Sequence, residues 1–301
     1  MSDAPELTHP DKVLWPVAGV TKADLAAYFD RVAERMLPHV RDRPLALKRH
    51  PRGVDQHGFF HKNLRGAPAW LPRHTVWTPS SDRTVTYPMV ASRRDLAWLA
   101  QQNTVELHPL QVLAERDDRP DILAFDLDPS DASVSAATAG RWLRETLDEL
   151  GLGALVKTSG KRGLHVFVRV ERRWDHARLR GFGLAVARAC ADRRPEALTV
   201  AMRKEDRGDR LLLDWSRNGH AQHLVAVWSP RTTPTATVSV PLAWDEVTDD
   251  LDPEAFTIRT APDRPDHWAE LPRPQRLERA EAILERAGYE LADASPRSRV
   301  R

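Results

Sequence analysis

The sequence predicts an α+β fold in which helices pack on a mixed or antiparallel sheet. Three observations carry this. Strand-length apolar runs and amphipathic helical stretches mix without the strict alternation of a doubly wound parallel sheet. Twenty-three prolines punctuate 301 residues, so many short elements are expected. Hydrophobic residues make up 41% of the chain and charged residues 29%, the balance of a packed globular protein.

The elements follow in chain order. "TKADLAAYFDRVAERML" reads as a helix: Thr21 caps it, Asp24 stands at the capping-box distance, and Leu25, Phe29, Val32 and Met36 share a face. Strands are expected at Pro44–Arg49, Thr84–Tyr87 and Ile122–Leu127. "SAATAGRWLRETLDELG" is a second helix, with Leu143, Leu147 and Leu150 inward and Gly151 as its stop. Strands at Ala154–Thr158 and Leu164–Val170 precede a third helix around Ala177–Ala191. Strands at Leu211–Trp215, Leu224–Trp228 and Thr235–Val240 lead to a last helix, "PQRLERAEAILERAG", ending at Gly288. The tail, residues 291–301, is expected to be disordered.

Bulk composition bounds the function. Forty-five Lys and Arg against 43 Asp and Glu leave a net charge of +2, so any basic surface for nucleic acid must be local. The one cysteine, Cys190, excludes a disulfide scaffold or a cysteine zinc site within this chain. The first residues have no apolar signal core and no run reaches membrane-span length, so a cytoplasmic protein with no membrane partner is expected.

Chemistry concentrates in four segments. In "AFDLDP" an apolar strand delivers Asp126 and Asp128, two residues apart and so on one face. Two close carboxylates repel unless one is protonated or a cation lies between them, and hard oxygens suit Mg²⁺ or Mn²⁺. On spacing alone, two solvated aspartates at a strand end fit equally well. In "VKTSGKRGLHVFV", Ser159, Gly160, Lys161, Arg162 and Gly163 offer a hydroxyl, permissive backbone and two cations between strands, as a phosphate cradle does. A charged hairpin turn fits the same residues, and His165 on the next strand reads equally as a packed histidine. In "RGDRLLLDWSRN" another apolar run ends in an acid, Asp214, bracketed by Arg207, Arg210 and Arg217. In "LKRHPRGVDQHGFFHK", cations interleave with Phe59 and Phe60, which suits single-stranded or frayed nucleic acid. Adjacent residues take opposite strand faces, so at least one phenylalanine is expected outside the core. Together the segments point to nucleotidyl transfer.

These segments, in this order, resemble the polymerase domain of bacterial ATP-dependent DNA ligase D, a branch of the archaeo-eukaryotic primase superfamily. The resemblance is carried by "LTHPDKVLWP", "TKADLAAYF", "RPLALKRHPRGVDQHGFFHK", "TYPMV", "LAWLAQQNTVELHP", "LAFDLDP", "TSGKRGLHVF", "RLLLDWSRN" and "VSVPLAWDEV", and runs from Leu7 to Gly288. It implies the archaeo-eukaryotic primase fold: one catalytic domain over residues 7–290, with an antiparallel RNA-recognition-like sheet packed against a second α/β lobe. With no ligase or phosphoesterase module in the sequence, a stand-alone, monomeric form is expected. The implied activity is template-dependent addition of nucleotides, with a preference for ribonucleotides and Mn²⁺. The implied setting is non-homologous end joining with Ku and a DNA ligase, on DNA carrying 5′-phosphate ends or gaps, in the cytoplasm at the nucleoid.

By resemblance, Asp126, Asp128 and Asp214 are the catalytic carboxylates, holding two ions, Mn²⁺ or Mg²⁺. His108, Ser159, Lys161, Arg162, Arg207, Arg217, Arg231 and Lys48 belong to the nucleoside triphosphate site. Lys12 and Lys22 form the 5′-phosphate pocket. Phe59 and Phe60 stack near the template turn, and Arg49 lies on the basic strand beside the active site. The chain departs from the pattern at Arg162, where many relatives have lysine, at Arg217, where many have an amide, and at "AVWSPR", where relatives often read "APYSLR". Pro230 removes an amide donor and stiffens the approach to Arg231. These departures bear on nucleotide selectivity and rate. De novo priming or terminal transfer makes identical demands on the metals. An end-binding module would not need three clustered acids, and a nuclease would not need a triphosphate cradle.

Overall fold

The computed structural model describes residues 5–63, 66–78, 82–129 and 132–291. The expected disorder of the tail therefore falls, from residue 292 onward, outside the described residues. A small hairpin, β1 (Val13–Trp15) and β2 (Val20–Thr21), leads into α1 (Lys22–Val40). Thr21 and Asp24 form the expected capping box, and Leu25, Phe29, Val32 and Met36 are all buried. The helix outruns its predicted end because Pro38 stands in the last turn and does not stop it.

Next come β3 (Leu45–Arg49), β4 (Phe59–His61), β5 (Arg73–Thr78), β6 (Arg83–Pro88), α2 (Arg93–Gln101) and β7 (Thr104–Pro109). Sequence reasoning missed α2, although Ser92 and Asp95 close a second capping box at its start. Strands β4, β3 and β7 form a three-stranded antiparallel sheet. The β5–β6 ribbon adds Val76, Val85 and Tyr87 to a small core with Ala46, Leu110 and Val112.

The second half holds β8 (Ile122–Asp128), α3 (Ala136–Glu149), β9 (Leu155–Thr158), β10 (Leu164–Arg169), α4 (His176–Ala191), β11 (Leu198–Thr199), β12 (Leu211–Asp214), β13 (Pro241–Leu242) and α5 (Glu278–Arg286). Six strands make one sheet in the order β11–β12–β8–β10–β9–β13, antiparallel except for the β11–β12 pair. The mixed, mainly antiparallel α+β architecture is the predicted one. Helices α3 and α4 cover one face, where Gly140 approaches Leu127 and Leu164 and Gly183 approaches Leu123. Because strand side chains alternate, Asp126 and Asp128 must face the other way.

Two predicted strands do not form. Leu224–Trp228 and Thr235–Val240 are irregular chain joined by single bridges such as Pro230 to Val238. Trp228 (φ 64°) and Ala236 (φ 55°) adopt left-handed backbone, which breaks an extended run. The segment is pinned by tertiary bonds instead: Ala226 N–H donates to Leu107 C=O (2.8 Å), Leu107 N–H to Ser229 Oγ (2.9 Å), and Tyr28 O–H to Trp228 C=O (2.7 Å). The last helix starts at Glu278, later than predicted, because Gln275 bridges to Val170 and its side chain bonds Gly153. Among the described residues no helix is long and apolar enough to cross a membrane.

Candidate active site

The open face of the six-stranded sheet carries a row of ionisable groups set by register. Asp214 on β12 pairs with Asp126 on β8, Asp126 pairs with His165 on β10, and His165 pairs with Lys157 on β9. Asp128 follows at the exposed end of β8, on the same face as Asp126. Each strand therefore contributes an apolar anchor that fixes it in the sheet and a polar residue that points away from the helices.

The row is electrostatically tight. Burial pushes the Asp126 pKa up, but His165, Arg217 and Lys157 outweigh it and hold the carboxyl below its usual range. His165 Nε2 lies 3.4 Å from Asp126 Oδ1, and burial together with Lys157 lowers that imidazole to about 4. Lys157 is fully buried and donates to Ser239 Oγ at 2.6 Å. Asp214 is anchored by Ser216, whose N–H (2.9 Å) and O–H both donate to Oδ1. Arg217 Nε sits 3.0 Å from Asp214 Oδ2 and 3.8 Å from Asp126 Oδ2.

Beside this row the turn between β9 and β10 closes on itself. Ser159 N–H donates to Gly163 C=O (2.9 Å), and Ser159 Oγ accepts from Lys161 N–H and Gly163 N–H, both at 3.2 Å. The oxygen is thus occupied as an acceptor, leaving its proton to donate outward. Gly160 has φ 69°, and a Cβ there would lie 2.8 Å from Ser239 N. Thr237 Oγ1 donates to Gly160 C=O, and Arg231 Nη1 donates to Ser159 C=O.

The three-stranded sheet supplies the facing wall. Lys48, Phe60, Glu106 and His108 share a face of β3, β4 and β7 by register. Glu106 is their hub: Oε1 accepts from Thr232 N–H (3.0 Å) and Oγ1–H (2.8 Å), and Oε2 meets His108 Nε2 at 2.7 Å. Arg231 Nε lies 3.4 Å and Lys48 Nζ 3.6 Å from the same carboxylate. The rings of Phe60, His108 and His223 stand within 5.2–5.4 Å of one another.

Both walls meet in a cleft of about 470 Å³ lined by Asp126, Asp128, Ser159, Lys161, Arg162, Arg217, Arg231, His108 and Phe60, along with His165 and His223. Nine predicted residues thus converge, although they lie up to 171 positions apart, Phe60 to Arg231. Asp214 reaches the cleft lining through Arg217, and Lys48 through buried Glu106, which contacts His108 and Arg231. Arg207 is not brought in: its guanidinium donates to Ala201 C=O (3.1 Å) and Met202 C=O (2.6 Å) within its own loop. Sequence reasoning missed Glu106, Lys157 and His223; for Glu106 the readable signal was an acid inside the otherwise apolar "TVELHP".

The remaining predicted residues lie outside that lining. Lys22 is buried at the start of α1, donating to Thr8 C=O (2.8 Å) and Gln101 Oε1 (2.7 Å), and burial together with nearby Lys12 lowers its pKa. Lys12 donates to Pro51 C=O. Phe59 and Phe60 are both exposed, on opposite faces of β4. Arg49 lies over the Phe59 ring and donates twice to Gln102.

The carboxylates fit a hard divalent cation in donor chemistry and in sharing one face. They are not drawn into a closed cage: among the described residues no group of three His, Cys, Asp or Glu is placed to hold a metal ion. A guanidinium lies where Asp126 and Asp214 converge.

Comparison with known proteins adds four matches. The family model described as LigD, primase-polymerase domain, matches residues 21–271. The multifunctional non-homologous end joining protein LigD of Mycolicibacterium smegmatis is 35% identical over 275 residues, covering 89% of this chain and 35% of that protein. The corresponding Mycobacterium tuberculosis DNA repair protein is 37% identical over 254 residues, 81% of this chain and 33% of that one. The chain spans about a third of the length of these curated relatives. Among solved structures, the polymerase domain from Mycobacterium tuberculosis ligase D in complex with DNA superposes with a TM-score of 0.80 at 34% identity, covering 92% of this chain and 98% of that one.

Proposed function

The chain belongs to the LigD primase-polymerase domain family, and from that premise we propose that it is a template-directed nucleotidyltransferase extending DNA ends and filling short gaps in non-homologous end joining. The observation that carries this reading is the cleft itself. Acids on one sheet, a phosphate-sized loop beside them and cations on the facing sheet are what phosphoryl transfer needs: positioning and charge.

Asp126, Asp128 and Asp214 would hold two divalent ions, Mn²⁺ or Mg²⁺. Such ions, when bound, supply Lewis acidity to the primer 3′-hydroxyl and to the triphosphate. The chain's own residues do the rest. The Ser159–Gly163 loop, with Lys161, Arg162 and Arg231, cradles the triphosphate, and the Ser159 hydroxyl donates its remaining proton to a phosphate oxygen. Glu106 keeps Arg231, Lys48 and His108 aligned on the sugar side. The exposed rings of Phe59 and Phe60 offer stacking surface to a base, with Arg49 alongside. Lys12 and Lys22 take the 5′-phosphate of a gap or recessed end. Arg207 would have to leave its carbonyl partners to join the triphosphate.

The finer reading follows the family: ribonucleotides are preferred, Ku and a ligase are partners, and residues 7–290 act as one monomeric domain working on DNA at the nucleoid. A single apolar cluster running from Leu14 to Leu284 supports the one-domain view.

Exchanging Asp126 or Asp128 for alanine separates chemistry from binding. Extension of a primed gap should fall by at least about a thousandfold, while fluorescence anisotropy reports DNA affinity within about threefold, because the 5′-phosphate contacts lie elsewhere. Extension near the wild-type rate in either variant would remove the carboxylates from the reaction. Tight 5′-phosphate-dependent binding by a wild-type chain that never extends would assign an end-binding module instead.

A further inference from the structure

Arg217 has a place in the cleft that the proposed nucleotidyl transfer does not explain. Its side chain is 39% exposed, yet its Nε is buried, with carboxylate oxygens of two acids as its neighbours. The contacts are charge pairing without hydrogen-bond geometry: Nε lies 3.0 Å from Asp214 Oδ2 but makes no aligned hydrogen bond. Such a group is held by charge and can be exchanged for another cation.

Its surroundings are tied down by hydrogen bonds. Asn218 clamps the Ser216–Asn218 turn to β8, accepting from Ala124 N–H (2.7 Å) and donating to Ala124 C=O (2.8 Å). Asp214 Oδ1 is taken by Ser216, and Arg217 Nε covers Oδ2. Asp126 divides its oxygens the same way, Oδ1 toward His165 and Oδ2 toward Arg217. Arg217 thus neutralises one oxygen on each of two acids, Asp126 and Asp214, that would hold a divalent ion.

We propose that Arg217 is an internal counter-ion of the carboxylates, which a divalent cation must displace before nucleotidyl transfer, and that the displaced guanidinium then turns to the incoming triphosphate. The inference rests on the metal reading given above. A guanidinium and a divalent ion repel across the same few ångströms, so the arginine lowers metal affinity in the nucleotide-free protein. A triphosphate in the cleft offers Arg217 a new anion and so relieves that competition. Arg217 is thus a positioning residue that makes metal occupancy depend on substrate.

The test is Mn²⁺ binding to nucleotide-free protein, read as loss of the free-ion electron paramagnetic resonance signal. Arg217→Gln should bind Mn²⁺ at least about tenfold more tightly than wild type, since a charge at this separation is worth that much even after solvent screening. Arg217→Lys, which keeps the charge, should stay much closer to wild type. Equal or weaker affinity in the glutamine variant overturns the proposal. Asp126→Ala, made in both backgrounds, separates the two claims. If it abolishes the binding but Arg217→Gln changes nothing, the counter-ion role alone fails. If it leaves Mn²⁺ binding intact, the metal reading falls and the counter-ion role with it.

Discussion

Glu106 organises one wall of the cleft from a position only 1% exposed. Burial pushes its carboxyl pKa up, but His108, Arg231 and Lys48 outweigh burial and hold it well below the usual range. The buried anion therefore fixes two cations and a histidine, and none of these is left unpaired behind the phosphate loop. In the sequence it looked like one acid in a strand, because its four partners, Lys48, His108, Arg231 and Thr232, come from three separate segments. Histidines elsewhere follow the opposite rule. Burial, with neighbouring cations, lowers His39 to about 4; burial, with His108, Lys62 and Arg217 near it, lowers His223 to about 3. Unfolded histidine titrates near 6.5, so between roughly pH 6.5 and 4 the unfolded chain binds more protons than the native one. The stability these neutral rings share is complete above pH 6.5 and drains away on acidification. Melting temperature should thus begin to fall near pH 6.5, well above the carboxylate range, at a cost on the order of 2 kcal/mol per histidine by pH 4.5. A melting temperature flat from pH 7 to pH 5 would contradict this account of the two rings.

The β9–β10 turn is the element on which the proposed phosphate cradle depends. Its strands were legible because Leu155–Thr158 and Leu164–Arg169 are apolar runs flanking a glycine-rich stretch. What the sequence did not disclose is why the glycines are needed. At Gly160 the backbone is left-handed and an added Cβ would meet Ser239 N at 2.8 Å and Val238 C at 2.9 Å, both unyielding backbone. Gly208 is also left-handed (φ 59°) but has open space around it. Gly160→Ala should cost about 2–4 kcal/mol, from strain plus overpacking, while Gly208→Ala should cost about 1 kcal/mol. Thermal unfolding of the two variants checks this, and equal losses would mean that the loop is not packed against the 237–239 segment. That segment lies in Thr235–Val240, which with Leu224–Trp228 is where strand prediction failed. Its apolar residues are buried by contact with β7 and α1, so composition matched a strand while left-handed Trp228 and Ala236 forbade one.

At the scale of the molecule, two sheets with different jobs face each other across one cleft. The six-stranded sheet presents acids, the three-stranded sheet presents cations and rings, and the chain between residues 224 and 240 ties the two together. Net charge is near neutral, so the attraction for a polyanion proposed for this cleft and for the Lys12–Lys22 corner is a local one. Local pattern revealed the strands that end in acids and the loop between β9 and β10. It could not reveal that Arg207 turns away or that Arg217 turns onto the acids, since both depend on where side chains come to rest. The central claim is that this cleft adds nucleotides under instruction from a template. Single-nucleotide incorporation opposite each of the four templating bases, in a gapped duplex with a 5′-phosphate and Mn²⁺, tests it most directly. The account predicts that the nucleotide added follows the template base, that ribonucleotides are used in preference to deoxynucleotides, and that Asp128→Ala abolishes the product. Incorporation that ignores the template, or that survives in Asp128→Ala, would contradict it.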